Sequence, residues 1–341
     1  DQARLNAPAP ARLERFVHLR RRSFLHLAAV GATMPVLGTQ ARALDYPARP
    51  VRVIVGGVPG SAPDVIARLA ADWLSRRLGQ TFFVDNRNGA SGAMAAEAVA
   101  GAAPDGYTLL LVSASDSINA TLYHHLKFDF LRDFVPVGGL VGFPMVMTVS
   151  AGFRAKTLPE LIAYAKANPG KLNIGTPPVG SPQHIAGELF NMMSGTDIVF
   201  VAYRGGPQAI TDALSGQVQG VVGTVLLTIE QIRSGGLRPL AVTTTARSAL
   251  LPDVPTVSTV VPGFDASQWI GLVAPKNVPP NLIERLNHEI QLGLADAAMK
   301  AKIANLGGTA LPGSAAAFGQ FTAAEVAKWG KVIKFANIKV E

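Results

Sequence analysis

The residues whose types and spacing could do chemistry gather at four places, where a short apolar run gives way to Gly, Pro and Ser and then to helical spacing. The first is "GGVPGSAPD" (56–64), in which Ser61 and Asp64 fit the N-cap and N3 positions of a capping box. The second, "NRNGASGAM" (86–94), holds Gly89 and Gly92 with Ser91 between them. The third, "GTPPVGSPQH" (175–184), offers Ser181 as N-cap and Pro182 at the first helical position, where its missing N–H costs nothing. The fourth, "YRGGPQAI" (203–210), sets Gly205 and Gly206 before Pro207. Each junction leaves backbone N–H groups unpaired at the positive end of a helix, a seat for an anion, and its glycines let a ligand approach the main chain. The competing reading of any single junction is a compact turn, since βα loops are generally rich in these residues. Four in one chain raise the expectation that some converge, because open α/β sheets bind ligands beyond the carboxyl ends of their strands.

Catalytic patterns are sparse. No Gly-Lys-Ser/Thr closes any of the four loops, and the first turn carries no dinucleotide fingerprint. There is no G-x-S-x-G elbow, no H-E-x-x-H and no cysteine, which excludes thiol nucleophiles, disulfides and thiolate metal sites. His124 and His125 are adjacent and so point to different faces. His184, one turn after Ser181, reads as a hydrogen-bonding group at a helix start; as a hydrolase pair the two lack an evident orienting carboxylate. Arg68 and Arg204 could each neutralise a bound carboxylate or lie on the surface. The expectation is a binding protein rather than an enzyme, with no cofactor and no metal.

The elements that must position these loops alternate. Strand-like runs at 51–55, 81–86 and 107–113 are separated by helical stretches at 64–78 and about 92–103, and "YTLLLVS" (107–113) is continuously apolar, as in a strand buried on both faces. A second series begins near 145, with strands at 145–150, 171–176, 198–203 and 238–245 and helices between. "WIGLVAP" (269–275) returns to strand character before helices at about 279–296 and 314–334. The alternation predicts an α/β fold with mostly parallel sheets in two lobes, the hinge forming where the chain crosses between them.

Of the formal net charge of +8, residues 1–43 supply +5, from seven Arg against Asp1 and Glu14. Only +3 remains for the rest, so nucleic-acid binding is not expected. The same leader has a basic run, an apolar stretch from Phe24 to about Leu37 that is too short to span a bilayer, and "ARA" at 41–43 as a small-x-small cleavage site. "RRSFL" (21–25) resembles the twin-arginine export motif. These features predict an exported, periplasmic protein.

In order and spacing over about 46–280, "YPARPVRVIV", "PDVIARLAADWLSRRLGQ", "DNRNGASG", "AAPDGYTLLL", "GSPQHIAGELF", "VAYRGGPQAITDALSGQV", "GLRPLAVTTTARSALLPDVPTV" and "WIGLVAPKNVPP" make the chain resemble the Bug family, the substrate-binding proteins of tripartite tricarboxylate transporters. The resemblance implies a monomeric two-lobed periplasmic binding protein of the type II, Venus-flytrap kind, with a ligand cleft between the lobes. It implies the division 1–43 export signal, 44–147 first part of lobe 1, 148–264 lobe 2, and 265–341 return to lobe 1 with the C-terminal helices. It also implies a small carboxylate as ligand (a di- or tricarboxylate, or an aromatic acid) and a membrane permease as partner; a sensor presenting its ligand to a membrane kinase is the alternative. The gripping residues carry over as Gly60, Ser61 and Asp64 in the first loop and Gly175, Thr176, Gly180, Ser181 and His184 in the second. Ser113 and Ser115 end the third strand facing the same cleft. The chain departs from the family in its first loop, where Pro-Phe-Pro-x-Gly-Gly becomes "GGVPGS", with Gly57 at the aromatic position and Ser61 at the second glycine. Gly223 also stands where an acid is common, which weakens the case for an amino-acid ligand.

Overall fold

The computed structural model describes residues 46–339 apart from 90, 91 and 124, so the leader, Ser91 and His124 lie outside the described residues. In chain order the elements are β1 (Val51–Val55), α1 (Ala62–Leu78), β2 (Phe82–Asn86), α2 (Ala93–Ala100), β3 (Thr108–Ser113), α3 (Ala114–Leu122) and β4 (Phe134–Ser150). There follow α4 (Leu158–Ala167), β5 (Asn173–Thr176), α5 (Pro182–Ser194), β6 (Val199–Ala202), α6 (Gly206–Leu214), β7 (Gly220–Thr224), α7 (Val225–Arg233) and β8 (Leu237–Val242). The chain closes with β9 (Ser267–Pro275), α8 (Pro280–Ala295), α9 (Ala297–Asn305), β10 (Thr309–Ala310) and α10 (Ala315–Phe335).

Local sequence explains the elements that carry the site. In α1, Ile66, Ala67, Ala70, Ala71 and Leu74 recur at helical spacing and are buried on one face, and Gly79 ends the helix in the left-handed conformation at φ 71. β3 is buried from Thr108 to Val112, as a strand covered on both sides must be. β1 lies between β2 and β3 and pairs in parallel with both, which puts the ends of β1 and β3 side by side. In the second lobe β5 lies in parallel between β6 and β7.

The sheets are mixed rather than mostly parallel. β9 runs antiparallel to β3, and β4 runs antiparallel to β9 from Phe134 to Pro144. From Met145 onward the same strand pairs instead with β7 and β8. β4 is therefore one 17-residue strand that leaves the first sheet and enters the second at Pro144–Met145. Its first half, "FVPVGGLVGFP", carries three Gly and two Pro, and its register against β9 shifts twice around Pro136 and Gly139; that composition hides a strand in the sequence. The return crossing is tied to it. Thr243 N–H donates to the Met145 carbonyl (2.9 Å), Met145 N–H donates to Thr243 Oγ1 (3.2 Å), and Ala266 N–H donates to the Thr243 carbonyl (2.9 Å).

A third connection is α10. Phe318 packs edge-on against Trp269 of β9 (ring centroids 5.7 Å apart), while Trp329, Val332 and Ile333 join the core of the second lobe. Between them Glu325 is buried, and its Oε2 accepts from the indole N–H of both Trp269 and Trp329 at 3.0 Å each. Lys328 pairs with the other carboxylate oxygen. Among the described residues no helix is long and apolar enough to cross a membrane.

Candidate functional site

The loops after β1 and β5 are two copies of one construction. In Val58-Pro59-Gly60-Ser61 and in Pro178-Val179-Gly180-Ser181, the serine N–H donates to the carbonyl three residues back, at 3.1 and 2.9 Å. Gly60 and Gly180 both stand at φ 81, the third position of a type II turn, which a residue with a Cβ rarely adopts. Each serine is the N-cap of the helix that follows, with nearly the same backbone angles (φ −69, ψ 161 at Ser61; φ −65, ψ 153 at Ser181). Val58 and Val179 are exposed at the tips.

The copies differ at the residue three positions after the serine. In the first it is Asp64, which is buried and fully engaged within its own lobe. Its Oδ2 accepts from Gly60 N–H (2.9 Å) and from Arg68 Nε (2.9 Å), and its Oδ1 accepts from Asn86 Nδ2 (3.0 Å). Asn86 also donates to the Gly57 carbonyl (2.9 Å), so one network fastens the whole loop. The Arg68 hydrogen bond, helped by Gly60 N–H and Asn86 against the cost of burial, holds Asp64 at a pKa of about 2. Asp64 and Arg68 thus shape the loop, and the Arg68 guanidinium is committed to Asp64. Arg204 is exposed beside α6.

In the second copy the corresponding residue is His184. It is buried, and desolvation lowers its pKa to about 4, so the imidazole is neutral near pH 7. Ser181 Oγ accepts from the backbone N–H of His184 (3.3 Å) and is spent as a helix cap. Ser61 Oγ makes no such bond. It is buried without a hydrogen-bond partner among the described residues, and His184 Nδ1 is buried in the same condition. Each loop therefore holds one buried polar atom that its own lobe leaves unsatisfied, and such atoms are uncommon in folded proteins.

Gly175 lies within β5, where a Cβ would come 3.1 Å from that of Ala209 and 3.2 Å from the Tyr203 ring, so the site is tightly packed around the glycine. Thr176 is fully buried and its hydroxyl donates to the Pro177 carbonyl (3.0 Å). Gly180 abuts α3: a Cβ there would fall 2.6 Å from Leu122 Cδ2. At the start of α3, Ser113 and Asp116 form a capping box, with Ser113 N–H donating to Asp116 Oδ2 (2.7 Å) and Ser113 Oγ to the same oxygen (3.1 Å). Ser113, Ser115 and Asp116 share a cavity of about 140 Å³ with Gly56, Gly57 and Gly92. The structure thus groups Gly60, Ser61 and Asp64 with Ser113 and Ser115 at the ends of β1 and β3. It groups Gly175, Thr176, Gly180, Ser181 and His184 at the end of β5. Asp116 and Asn86 were not singled out from sequence. The S-x-x-D spacing of Ser113 and Asp116 was the available signal for the former. Among the described residues no three His, Asp or Glu side chains are grouped to hold a metal ion.

A model of the tripartite tricarboxylate transporter family receptor matches residues 66–338, from within α1 to just beyond α10. The chain belongs to this family. The receptor is 35% identical to Protein BugT of Bordetella pertussis over 320 residues, which cover 92% of this chain and 98% of BugT. Its fold matches that of Rpa4515 of R. palustris, solved with adipate, at a TM-score of 0.72 with 32% identity, covering 86% of this chain and 99% of that one. MatC (Rpa3494) from Rhodopseudomonas palustris, solved with bound malate, matches at a TM-score of 0.68 with 28% identity, covering 84% and 100%. The receptor thus shares the two-lobed α/β architecture of periplasmic solute-binding proteins.

Proposed function

We propose that the receptor captures a small organic carboxylate in the periplasm, a di- or tricarboxylate or an aromatic acid, and presents it as a monomer to the permease of a tripartite transporter. The observation that carries this reading is the pair of matching Gly-Ser turns at two helix N-termini, one in each lobe, with Ser61 Oγ and His184 Nδ1 left unpartnered in them. In this reading Gly60, Ser61, Gly180, Ser181 and His184 face the ligand, Ser113 and Ser115 line the approach, and Asp64, Gly175 and Thr176 hold the loops in shape. Lobe 1 comprises 44–147 and 265–341 and lobe 2 comprises 148–264. Closure is driven by one anion bridging donors of both lobes, with bending where β4 and the Thr243–Ala266 segment cross. The leader directs export by the twin-arginine route. The binding of adipate by Rpa4515 and of malate by MatC is in keeping with an acid of this size. A serine hydrolase fits less well, because Ser181 Oγ accepts from the His184 backbone and the His184 Nδ1 has no carboxylate to orient it.

Calorimetry of the purified protein against mono-, di- and tricarboxylates and aromatic acids tests the reading. At least one should bind with micromolar affinity or better and raise the melting temperature. Binding confined to sugars, nucleotides or amino acids would overturn it.

A further inference from the structure

The cavity beside the first loop is built from five segments: the end of β1 (Val55, Gly56, Gly57), Pro63, the head of α2 (Gly92), β3, and the start of α3. Its walls are glycine backbone and apolar side chains, with the hydroxyls of Ser113 and Ser115 and a single ionisable group, Asp116. Among the described residues, the side chain and backbone of Ser113 hold one oxygen of the Asp116 carboxylate. Oδ2 takes both hydrogen bonds from Ser113, while Oδ1 lies over Gly92, 3.6 Å from where a Cβ on that residue would stand. At Gly56 a Cβ would fall 2.7 Å from Gly92 Cα, so the backbones of the first two loops meet at the cavity. Gly57 lines the cavity and also lies under Ser61 Oγ, 2.8 Å from a Cβ built on it. The cavity is therefore the immediate neighbour of the unpartnered hydroxyl of the grip.

We infer that Asp116 is a specificity-determining residue: it selects acids that present a hydrogen-bond donor, a hydroxyl above all, to this cavity, and it opposes an ionised carboxylate there. The inference rests on the carboxylate-receptor reading and narrows it. The chemistry is that of a single acceptor in a confined space. A ligand hydroxyl offers Oδ1 a proton, whereas a second carboxylate meets like charge across a distance too short for solvent to screen.

Several charges on the elements around α3 are paired with each other. Asp64 and Arg68, both in α1, bind each other, as do Glu97 of α2 and Lys127. α10, packed on α3, brings the pair Glu325 and Lys328 together with Lys331 and Lys334, and α5 brings the neutral His184 and Glu188. β9 carries no ionisable side chain. Burial, only partly offset by the Ser113 hydrogen bonds, raises Asp116 to a pKa of about 6. The opposition to a carboxylate should therefore be present at pH 8 and relax at pH 5.5, where the protonated group can itself donate.

The test uses two pairs of acids, malate against succinate, which differ by one added hydroxyl, and 5-hydroxypentanoate against glutarate, in which a hydroxymethyl replaces one carboxylate, titrated into the full chain by calorimetry at pH 8 and pH 5.5. For the wild type the hydroxyl-bearing partner should bind at least tenfold more tightly at pH 8, and the ratio should shrink several-fold at pH 5.5. Asp116→Asn keeps an acceptor for Ser113 N–H and turns an amide toward the cavity. It should tighten the acid lacking the hydroxyl about tenfold at pH 8 and abolish the pH dependence of the ratio. An unchanged ratio in Asp116→Asn, or a wild-type ratio that is the same at both pH values, overturns the inference while leaving the carboxylate receptor intact. The wild-type comparison decides the matter even if the variant does not fold. Absence of binding by all four acids and by the wider carboxylate panel overturns the receptor reading and the inference with it.

Discussion

Ser61 and Ser181 occupy the same place in two copies of one turn, yet their hydroxyls have different occupations. Ser181 caps α5 through the His184 N–H, and a lost side-chain cap costs about 1 kcal/mol. Ser61 makes no side-chain cap bond; Asp64 secures the turn by accepting from Gly60 N–H. Gly57 is what makes room for the Ser61 hydroxyl, since a Cβ there would lie 2.8 Å from it. Position 57 and the Ser61 hydroxyl are thus in direct contact, so the side chains at 57 and 61 constrain each other. Ser61→Ala should therefore separate binding from folding. Its unfolding free energy is expected within about 0.5 kcal/mol of wild type, while affinity for the carboxylate falls about tenfold, the worth of about one hydrogen bond. Ser181→Ala should lower both. Denaturant unfolding and calorimetry on the two variants check this, and equal destabilisation by both would show that Ser61 is an ordinary cap.

At the scale of elements, the two turns share their backbone conformation but not their surroundings. A non-glycine residue in the left-handed region costs about 1–2 kcal/mol, and Gly60 and Gly180 both stand at φ 81. Around Gly60 a Cβ would meet nothing within 4 Å, whereas at Gly180 it would fall 2.6 Å from Leu122 of α3. Gly60→Ala should accordingly cost about 1–2 kcal/mol by urea unfolding, and Gly180→Ala that strain plus about 0.5–1.5 kcal/mol for turning the Leu122 methyl aside. Equal costs would mean that Leu122 moves aside without strain. This contact marks the boundary of what sequence reveals. The helices of α1, α5 and α8 and the buried strand β3 announce themselves by apolar spacing, Pro near the first turn or a terminal Gly. The "GS" turns were visible because Gly, Ser and Pro have few other uses in that order. The first half of β4 was hidden by its Pro and Gly residues, and α3 by starting directly from β3 with no intervening loop. Asp116 escaped notice for the same reason, since its role depends on Gly56, Gly57 and Gly92 arriving from elsewhere in the chain. Long-range assembly of that kind leaves no local pattern.

Over the whole molecule, β4, the Thr243–Ala266 segment and α10 join the lobes, and Glu325 fixes the third of these by accepting from one tryptophan at each end. Two further ionisable groups stand near the two Gly-Ser turns with pKa values displaced in opposite senses, and their effects on stability should oppose each other. His184 is lowered by desolvation to about 4, against about 6.5 in an unfolded chain. Between those values the unfolded state binds the extra proton, so this group removes stability as pH falls from about 6.5 to 4. Asp116 is raised by desolvation to about 6, against about 3.8 unfolded. Here the folded state binds the extra proton, so stability increases as pH falls from about 6 to 4. The opposing slopes should leave these two sites contributing little net pH dependence across about pH 4–6 in the wild type. Asp116→Asn leaves only the His184 slope, so its stability should drop as pH falls through that window. His184→Gln leaves only the Asp116 slope and should gain stability over the same interval. Urea unfolding at half-unit steps of pH measures both. Parallel profiles for the two variants would show that His184 and Asp116 do not titrate in the way their burial dictates. An acid that sets a second carboxylate in the cavity should add proton uptake through Asp116 near pH 6, and one that sets a hydroxyl there should instead release protons; both are seen as a binding enthalpy that changes with buffer ionisation heat and is constant in Asp116→Asn.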